Sequence, residues 1–164
     1  FPYTTLFRSG PVYLRFGRPV VPVFIPEDMP FEIGKGILLQ EGKDVTIVAT
    51  GHLVWESLLA AEELEKEGIS CEVINIHTIK PLDEEIILKS VEKTGKIVTA
   101  EEHNYLGGLG ESVAGMLSRK RPTPQEFVAV NDTFGESGTP AELMHKYEID
   151  AEAVVKAVKR VLAR

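Results

Sequence analysis

Two glutamates, a histidine and a glycine-rich turn form the stretch of this chain that is best suited to chemistry. Glu101, Glu102 and His103 follow an apolar run, and the sequence GGLG occupies positions 107–110. A carboxylate beside an imidazole can bind a metal ion or tune the imidazole for proton transfer. A glycine turn that leads into a helix can bind phosphate. Open α/β sheets place ligands in this position, outside the carboxyl ends of their strands.

The usual phosphate-binding fingerprints are nevertheless incomplete in this stretch. The dinucleotide pattern G-x-G-x-x-G requires a glycine where Val113 stands, and the phosphate-loop lysine is absent. Adjacent residues of an extended chain point to opposite sides, so Glu101 and Glu102 cannot chelate one ion without a turn. The sequence therefore favours a tight packing turn over a phosphate site. It also favours a solvated strand end, with one residue capping the next helix, over a metal site.

The other candidate residues have weaker patterns. Cys71 lies in an apolar run with no adjacent base and is predicted to be an inert core thiol. Arg15 and Arg18 end a predicted first strand, where an arginine can bind a phosphate or carboxylate in a forked geometry or form a plain surface pair. Three histidines lack metal-ligand spacing and are predicted to be solvated loop residues, two of them at the sheet edge: His52, His77 and His145.

The elements that must position these residues alternate regularly between strands and helices. Apolar runs predict two early strands, Ile37–Gln40 and Val45–Ala49, joined as a hairpin. Further strands are predicted at 71–76, 97–100 and 126–130, and helices near 53–66 and 83–93 and from the glycine turn to about 119. A capping box formed by Thr139 and Glu142 predicts a short helix after it, and Asp150 is predicted to cap a final helix. Strands separated by helices predict a mostly parallel sheet covered on both faces, which is a three-layer α/β/α sandwich.

Composition narrows the classes of function. The chain has 164 residues, 43% of them hydrophobic, and a net charge of −7. This charge argues against a nucleic-acid partner or an anionic membrane, and no apolar run reaches the roughly 20 residues that cross a bilayer. Cys71 is the single cysteine, which excludes an intrachain disulfide and leads us to expect a cytoplasmic protein.

The first 30 residues divide into segments that are predicted to differ in kind. Residues 1–9, FPYTTLFRS, look like the translation of a sequencing-adapter oligonucleotide, and we expect them to be a non-native scar. Residues 12–16 predict a short strand. Four prolines within twelve residues then predict an extended linker at 19–30, because proline fixes φ and removes a backbone donor.

Four stretches together resemble the C-terminal portion of a transketolase. They are GPVYLRFGRPVVPV (10–23), HTIKPLDEEII (77–87), TAEEHNYLGGLGESVAGML (99–117) and NDTFGESGTPAELMHKYEID (131–150). The middle two are shared across thiamine-diphosphate enzymes, and the last favours transketolase, especially the split form with separate subunits. The resemblance implies that residues 10–18 are the last strand of a truncated pyrimidine-binding domain. It also implies that residues 31–164 are the C-terminal domain, a five-stranded sheet with one antiparallel strand.

The same resemblance implies an activity, a cofactor and partners. The intact enzyme would transfer a two-carbon ketol unit between sugar phosphates, as in the pentose phosphate pathway, using thiamine diphosphate and Mg²⁺ held upstream of Gly10. No catalytic, cofactor-binding or metal-binding residue is then expected in this chain, which would be inactive alone. The expected partners are an N-terminal transketolase subunit and a second copy of the C-terminal subunit.

The resemblance assigns a role to only a few individual residues. Arg18 matches the family arginine that binds the substrate phosphate, although Gly17 and Pro19 depart from the usual flanking pattern. Glu101, Glu102 and His103 are expected at the rim of a subunit interface. The alternatives are a non-catalytic interaction module, or the tail of a deoxyxylulose-phosphate synthase or of a 2-oxo-acid dehydrogenase β subunit.

Overall fold

A computed structural model describes Tyr13 and residues 21–164, which contain one five-stranded mixed sheet. The strands are β1 (Ile37–Gln40), β2 (Val45–Ala49), β3 (Cys71–Asn75), β4 (Ile97–Asn104) and β5 (Gln125–Val130). Their order across the sheet is β1-β3-β2-β4-β5, with β1 antiparallel to β3 and the other three pairings parallel. The predicted sheet with one antiparallel strand is confirmed.

The predicted hairpin between β1 and β2 is wrong, because β3 lies between these two strands. The connection at 41–44 crosses the start of β3, where Lys43 and Asp44 donate backbone hydrogen bonds to the Ser70 carbonyl. Residue 42 must be glycine there, since a Cβ would lie 2.1 Å from the Cys71 carbonyl carbon. All five residues of β2 are buried, which suits a central strand, whereas β1 is only partly buried and suits an edge.

The described residues contain five helices, four of which pack on the two faces of the sheet. The five are α1 (Leu53–Lys66), α2 (Glu84–Thr94), α3 (Leu109–Lys120), α4 (Pro140–Lys146) and α5 (Ala151–Leu162). Buried side chains of α1 and α5 form one hydrophobic cluster with the sheet, and those of α2 and α3 form a second cluster on the opposite face. The predicted three-layer α/β/α sandwich is confirmed.

The predicted helix boundaries follow from local capping. Asp83 accepts a hydrogen bond from the Ile86 amide at the start of α2, and Asp150 accepts one from the Ala153 amide at the start of α5. Glu142 accepts hydrogen bonds from both the amide and the hydroxyl of Thr139, which forms the predicted capping box of α4. No helix in the part of the chain that the structure describes is long and apolar enough to cross a membrane.

Candidate functional site

The acidic stretch lies on a strand and not in a loop. β4 continues to Asn104, four residues beyond the predicted end at Ala100, so Glu101, Glu102 and His103 are part of the sheet. The pairing of β4 with β5 becomes irregular after Ala100 and resumes where Asn104 lies opposite Val130. The apolar pattern stops at Glu101, which is why the sequence predicted too short a strand.

Glu101 is a buried helix cap. The residue is 1% exposed, and its two carboxylate oxygens accept hydrogen bonds from the amides of Leu109 (2.7 Å) and Gly110 (2.8 Å) in the first turn of α3. A carboxylate is stabilised in this position by the free amides and the positive end of the helix dipole. The prediction that one acid caps the helix is therefore confirmed, but this acid is not solvated.

The glycine turn is filled by the chain itself. A Cβ at Gly108 would lie 2.2 Å from a Glu101 oxygen, so glycine is required for the carboxylate to reach the helix. The Gly107 amide donates to the Glu111 carboxylate at 2.7 Å. With this amide and those of Leu109 and Gly110 bonded to carboxylates of the chain, the turn has the packing role that the sequence favoured over phosphate binding.

Glu102 and His103 are exposed at the rim of the sheet. The His103 Nδ1 atom lies 2.7 Å from the Asn104 carbonyl and 4.0 Å from a Glu101 oxygen. Glu101 and Glu102 lie on opposite sides of the strand, one buried and one exposed, as the period of an extended chain requires. Within the described residues, no group of three or more His, Cys, Asp or Glu side chains could hold a metal ion.

A cavity of about 370 Å³ lies where the carboxyl ends of β2 and β4 meet. It is lined by Thr50, Gly51 and His52 after β2, by residues 101–103, and by the glycine turn. The chain leaves β2 and β4 toward helices on opposite faces of the sheet, which makes this crevice the topological switch point of the fold. The structure thus brings His52 together with Glu101, Glu102 and His103, which the sequence placed only at the same sheet edge.

A second cavity of about 560 Å³ adjoins the first and shares Gly51 and His52 with it. Its apolar lining includes Phe24 and Trp55, whose ring centroids are 5.4 Å apart. Sequence reasoning missed this cavity. The available signal was the wide apolar stripe at the start of α1, where the half-buried Trp55 follows the buried Leu53 and Val54.

The remaining histidines have structural roles. His77 lies in the loop after β3, as predicted, but it is half-buried: its ring packs against Phe31 with centroids 4.5 Å apart, and its Nε2 lies 3.1 Å from the Glu32 carbonyl. His145 is exposed as predicted but lies in α4 and not in a loop, and its Nδ1 lies 2.8 Å from Asp150 Oδ2.

Cys71 is fully buried, as predicted for a core thiol. Burial, with a smaller effect from the Asp44 charge, raises the pKa of its thiol to about 12. Arg18 and the predicted strand at 12–16, apart from Tyr13, lie outside the residues that the structure describes.

Comparison with known proteins identifies relatives over nearly the whole chain. A family model described as "Transketolase, C-terminal domain" matches residues 34–154. A subunit of the 6-deoxy-6-sulfo-D-fructose transketolase of Clostridium sp. (strain MSTE9) is 48% identical over 97% of this chain and 49% of its own length. A subunit of the apulose-4-phosphate transketolase of Phocaeicola vulgatus is 39% identical over 89% of this chain and 47% of its own length.

A solved structure shows the same fold. It is a split-gene transketolase described as an inactive beta4 tetramer, 49% identical to this chain, with a TM-score of 0.89 over 94% of this chain and 50% of its own. The chain therefore spans about half the length of these matched proteins.

Proposed function

This chain belongs to the transketolase C-terminal domain family, and on this basis we propose that it is the C-terminal part of one subunit of a split transketolase. The intact enzyme would transfer a two-carbon ketol unit from a ketose phosphate to an aldose phosphate. The observation that carries the proposal is the similarity to a split-gene transketolase, with 49% identity and a TM-score of 0.89 over 94% of this chain. The names of the Clostridium and Phocaeicola relatives refer to transketolases of two different sugars.

The proposed cofactor, thiamine diphosphate with Mg²⁺, would be held outside residues 21–164. The described residues do not fit it, because the amides of the glycine turn are bonded to Glu101 and Glu111 and no group of three metal-binding side chains is found among them. Isothermal titration calorimetry of the chain with thiamine diphosphate and Mg²⁺ should give no saturable signal. A one-to-one binding curve would overturn this part of the proposal.

The proposed partners are an N-terminal transketolase subunit and a second copy of the C-terminal subunit. Support comes from the relatives that are described as subunits, and from the tetrameric state given for the similar structure. Of the three residues expected at the interface rim, Glu102 and His103 are exposed and are proposed for such a contact, whereas Glu101 is buried and cannot take part in it directly. His103→Ala should weaken assembly with the partner subunits while the chain keeps its circular dichroism spectrum and melting temperature. Unchanged assembly would remove His103 from the interface.

A chimeric enzyme tests the proposed activity. Residues 21–164 of this chain would replace the matching half of the Clostridium 6-deoxy-6-sulfo-D-fructose transketolase subunit, which is then combined with its partner subunit. We expect ketol transfer within about tenfold of the parent enzyme, since the interdomain surfaces belong to one family. The parent lacking its C-terminal half is the control and should lose assembly or activity. A chimera that folds and assembles but transfers no ketol unit would contradict the proposal.

A further inference from the structure

Large exposed apolar side chains are concentrated on one side of the molecule. Ten of them occur between residues 21 and 164. Eight of these lie in the linker and the residues that join it to β1 (21–36), or in the loops that follow β3, β4 and β5 at the carboxyl edge of the parallel strands. The eight are Val21, Val23, Phe31, Ile33, Ile79, Tyr105, Leu106 and Phe134. We call this surface, with the loop after β2, the carboxyl-edge face.

The opposite edge of the sheet lacks large exposed apolar side chains in its turns. Its turns are the sequences EGKD at 41–44, EGIS at 67–70, GK at 95–96 and RPTP at 121–124, and none of them carries a large exposed apolar side chain. A water-facing surface normally carries its apolar residues singly and scattered, so this asymmetry indicates that the carboxyl-edge face is covered by protein.

The carboxyl-edge face has a preformed shape. The two cavities, of about 560 and 370 Å³, share Gly51 and His52 in their linings, and we refer to them together as the groove. The residues that join the linker to β1 are held by side chains after β3, since the Gly34 amide donates to Thr78 Oγ1 and the Gly36 amide donates to Asp83 Oδ2, each at 2.9 Å. The exposed Phe31 is therefore presented from an anchored segment.

We propose that the carboxyl-edge face is the docking surface for the half of the longer subunit that precedes Val21. This inference rests on the proposed function. Val21 and Pro22 line the larger cavity, so the chain reaches the domain at this face. The matched proteins are about twice as long as this chain, and a C-terminal domain is preceded by the remainder of its subunit. A tethered domain has an effective concentration in the millimolar range, which favours docking on an adjacent apolar surface.

The docked surface should be apolar with a basic rim. Exposed carboxylates border the face at Glu27, Asp28 and Glu32, and the whole chain has a net charge of −7. A partner surface with lysine or arginine at its edge would complement these acids, while its apolar centre fills the groove.

Hydrogen exchange in the chimera and in the isolated chain tests the inference. Amides of the linker and of the loops after β2, β4 and β5 should exchange at least tenfold more slowly in the chimera, and the turns at the opposite edge should be unchanged. This protection should not depend on protein concentration, because the docked half is covalently attached. Protection that rises with concentration would assign the face to a second copy, and an absence of protection would leave it uncovered; either result overturns the inference.

Single substitutions test whether the protection from hydrogen exchange depends on the apolar side chains of the carboxyl-edge face. Phe31→Asp and Phe134→Asp should each remove most of the protection, and Phe134 is 97% exposed, so its replacement leaves the fold intact. Leu59→Asp is the matched control, because Leu59 is an exposed leucine on α1 outside the face. Equal effects of all three would contradict the inference. An active chimera without protection refutes only this inference, and a protected but inactive chimera refutes only the proposed activity.

Discussion

The Glu101 side chain, on β4, connects this strand to α3 through hydrogen bonds. It is buried and accepts two amide hydrogen bonds at 2.7 and 2.8 Å, whereas the adjacent Glu102 is exposed. Glu101→Ala leaves both donors without a partner, so we expect a loss of about 2–3 kcal/mol in the free energy of unfolding. Urea denaturation followed by circular dichroism measures it. Glu102→Ala is the control and should change stability by less than about 0.5 kcal/mol; equal losses would refute the capping role.

Glu72 makes the stability of the chain depend on pH. Burial raises the pKa of this carboxyl, but the Lys93 ammonium, the Ser90 hydroxyl and the Gly42 amide outweigh burial and hold the pKa below its ordinary value. The lowered pKa means that stabilisation is present above the unfolded-state pKa of about 4.3 and is lost as pH falls through the folded-state pKa. The stability difference between the unsubstituted chain and Glu72→Gln should therefore be about 1–3 kcal/mol near pH 6 and shrink below about pH 4.

This pH dependence is measured by urea denaturation at a series of pH values. Glu63→Gln provides the control, because Glu63 forms a solvent-exposed pair with Lys66. It should show no comparable change, since exposed pairs contribute little. A difference for Glu72→Gln that stays constant between pH 6 and pH 3 would contradict the prediction.

Cys71 should react with thiol reagents only after unfolding. Its side chain is fully buried and its pKa is raised to about 12, so the folded protein contains almost no thiolate near pH 8. Ellman's reagent should modify the denatured chain within minutes and the folded chain at a rate set by transient unfolding. Rapid modification of a chain that keeps its circular dichroism spectrum would contradict this prediction.

Among the elements, α3 contains two glycines with opposite roles. A Cβ at Gly110 would lie 2.4 Å from the Phe127 ring, whereas a Cβ at Gly115 has only the end of Arg119 nearby, at 3.7 Å. Gly110→Ala should therefore destabilise the protein by about 1–3 kcal/mol through overpacking. Gly115→Ala should stabilise it by about 0.5–1 kcal/mol, since alanine is the better helix former. Thermal melts of the pair decide the matter, and changes of the same sign would refute it.

The connection between β1 and β2 is the element that sequence reasoning placed wrongly. Four residues with a glycine between two apolar runs are typical of a hairpin. The same four residues can also cross the end of a third strand when glycine removes the Cβ that would strike it, as Gly42 does above Cys71. Local sequence does not distinguish these two cases, because the third strand begins more than twenty residues later.

In the molecule as a whole, one sheet links two separate hydrophobic clusters. Trp55 lies on α1, which packs on one face, and Ile87 is a fully buried residue of the cluster on the other face. Because both clusters include residues of β2 and β3, we expect them to unfold together. Ile87→Ala should cost about 2–5 kcal/mol and shift the Trp55 fluorescence midpoint as far as the circular dichroism midpoint. Separate midpoints would show independent unfolding of the two faces.

Features that depend on neighbours within one helical turn follow from the amino-acid sequence without further information. Asp83, Thr139 and Asp150 cap their helices through hydrogen bonds to residues three positions away, so their patterns could be predicted directly. The alternation of apolar strands and amphipathic helices likewise predicted the layered α/β fold, because burial of each face requires that periodicity.

The strand order and the surroundings of the site, in contrast, depend on the assembled fold. Glu101 is a cap because the glycine turn brings α3 back over it, and His52 lines the same cavity because β2 lies beside β4. These contacts join residues that are distant in sequence, and their free energy comes from packing and desolvation. The same apolar strand could pair with any of several other strands, so only the completed sheet shows which strands lie beside it.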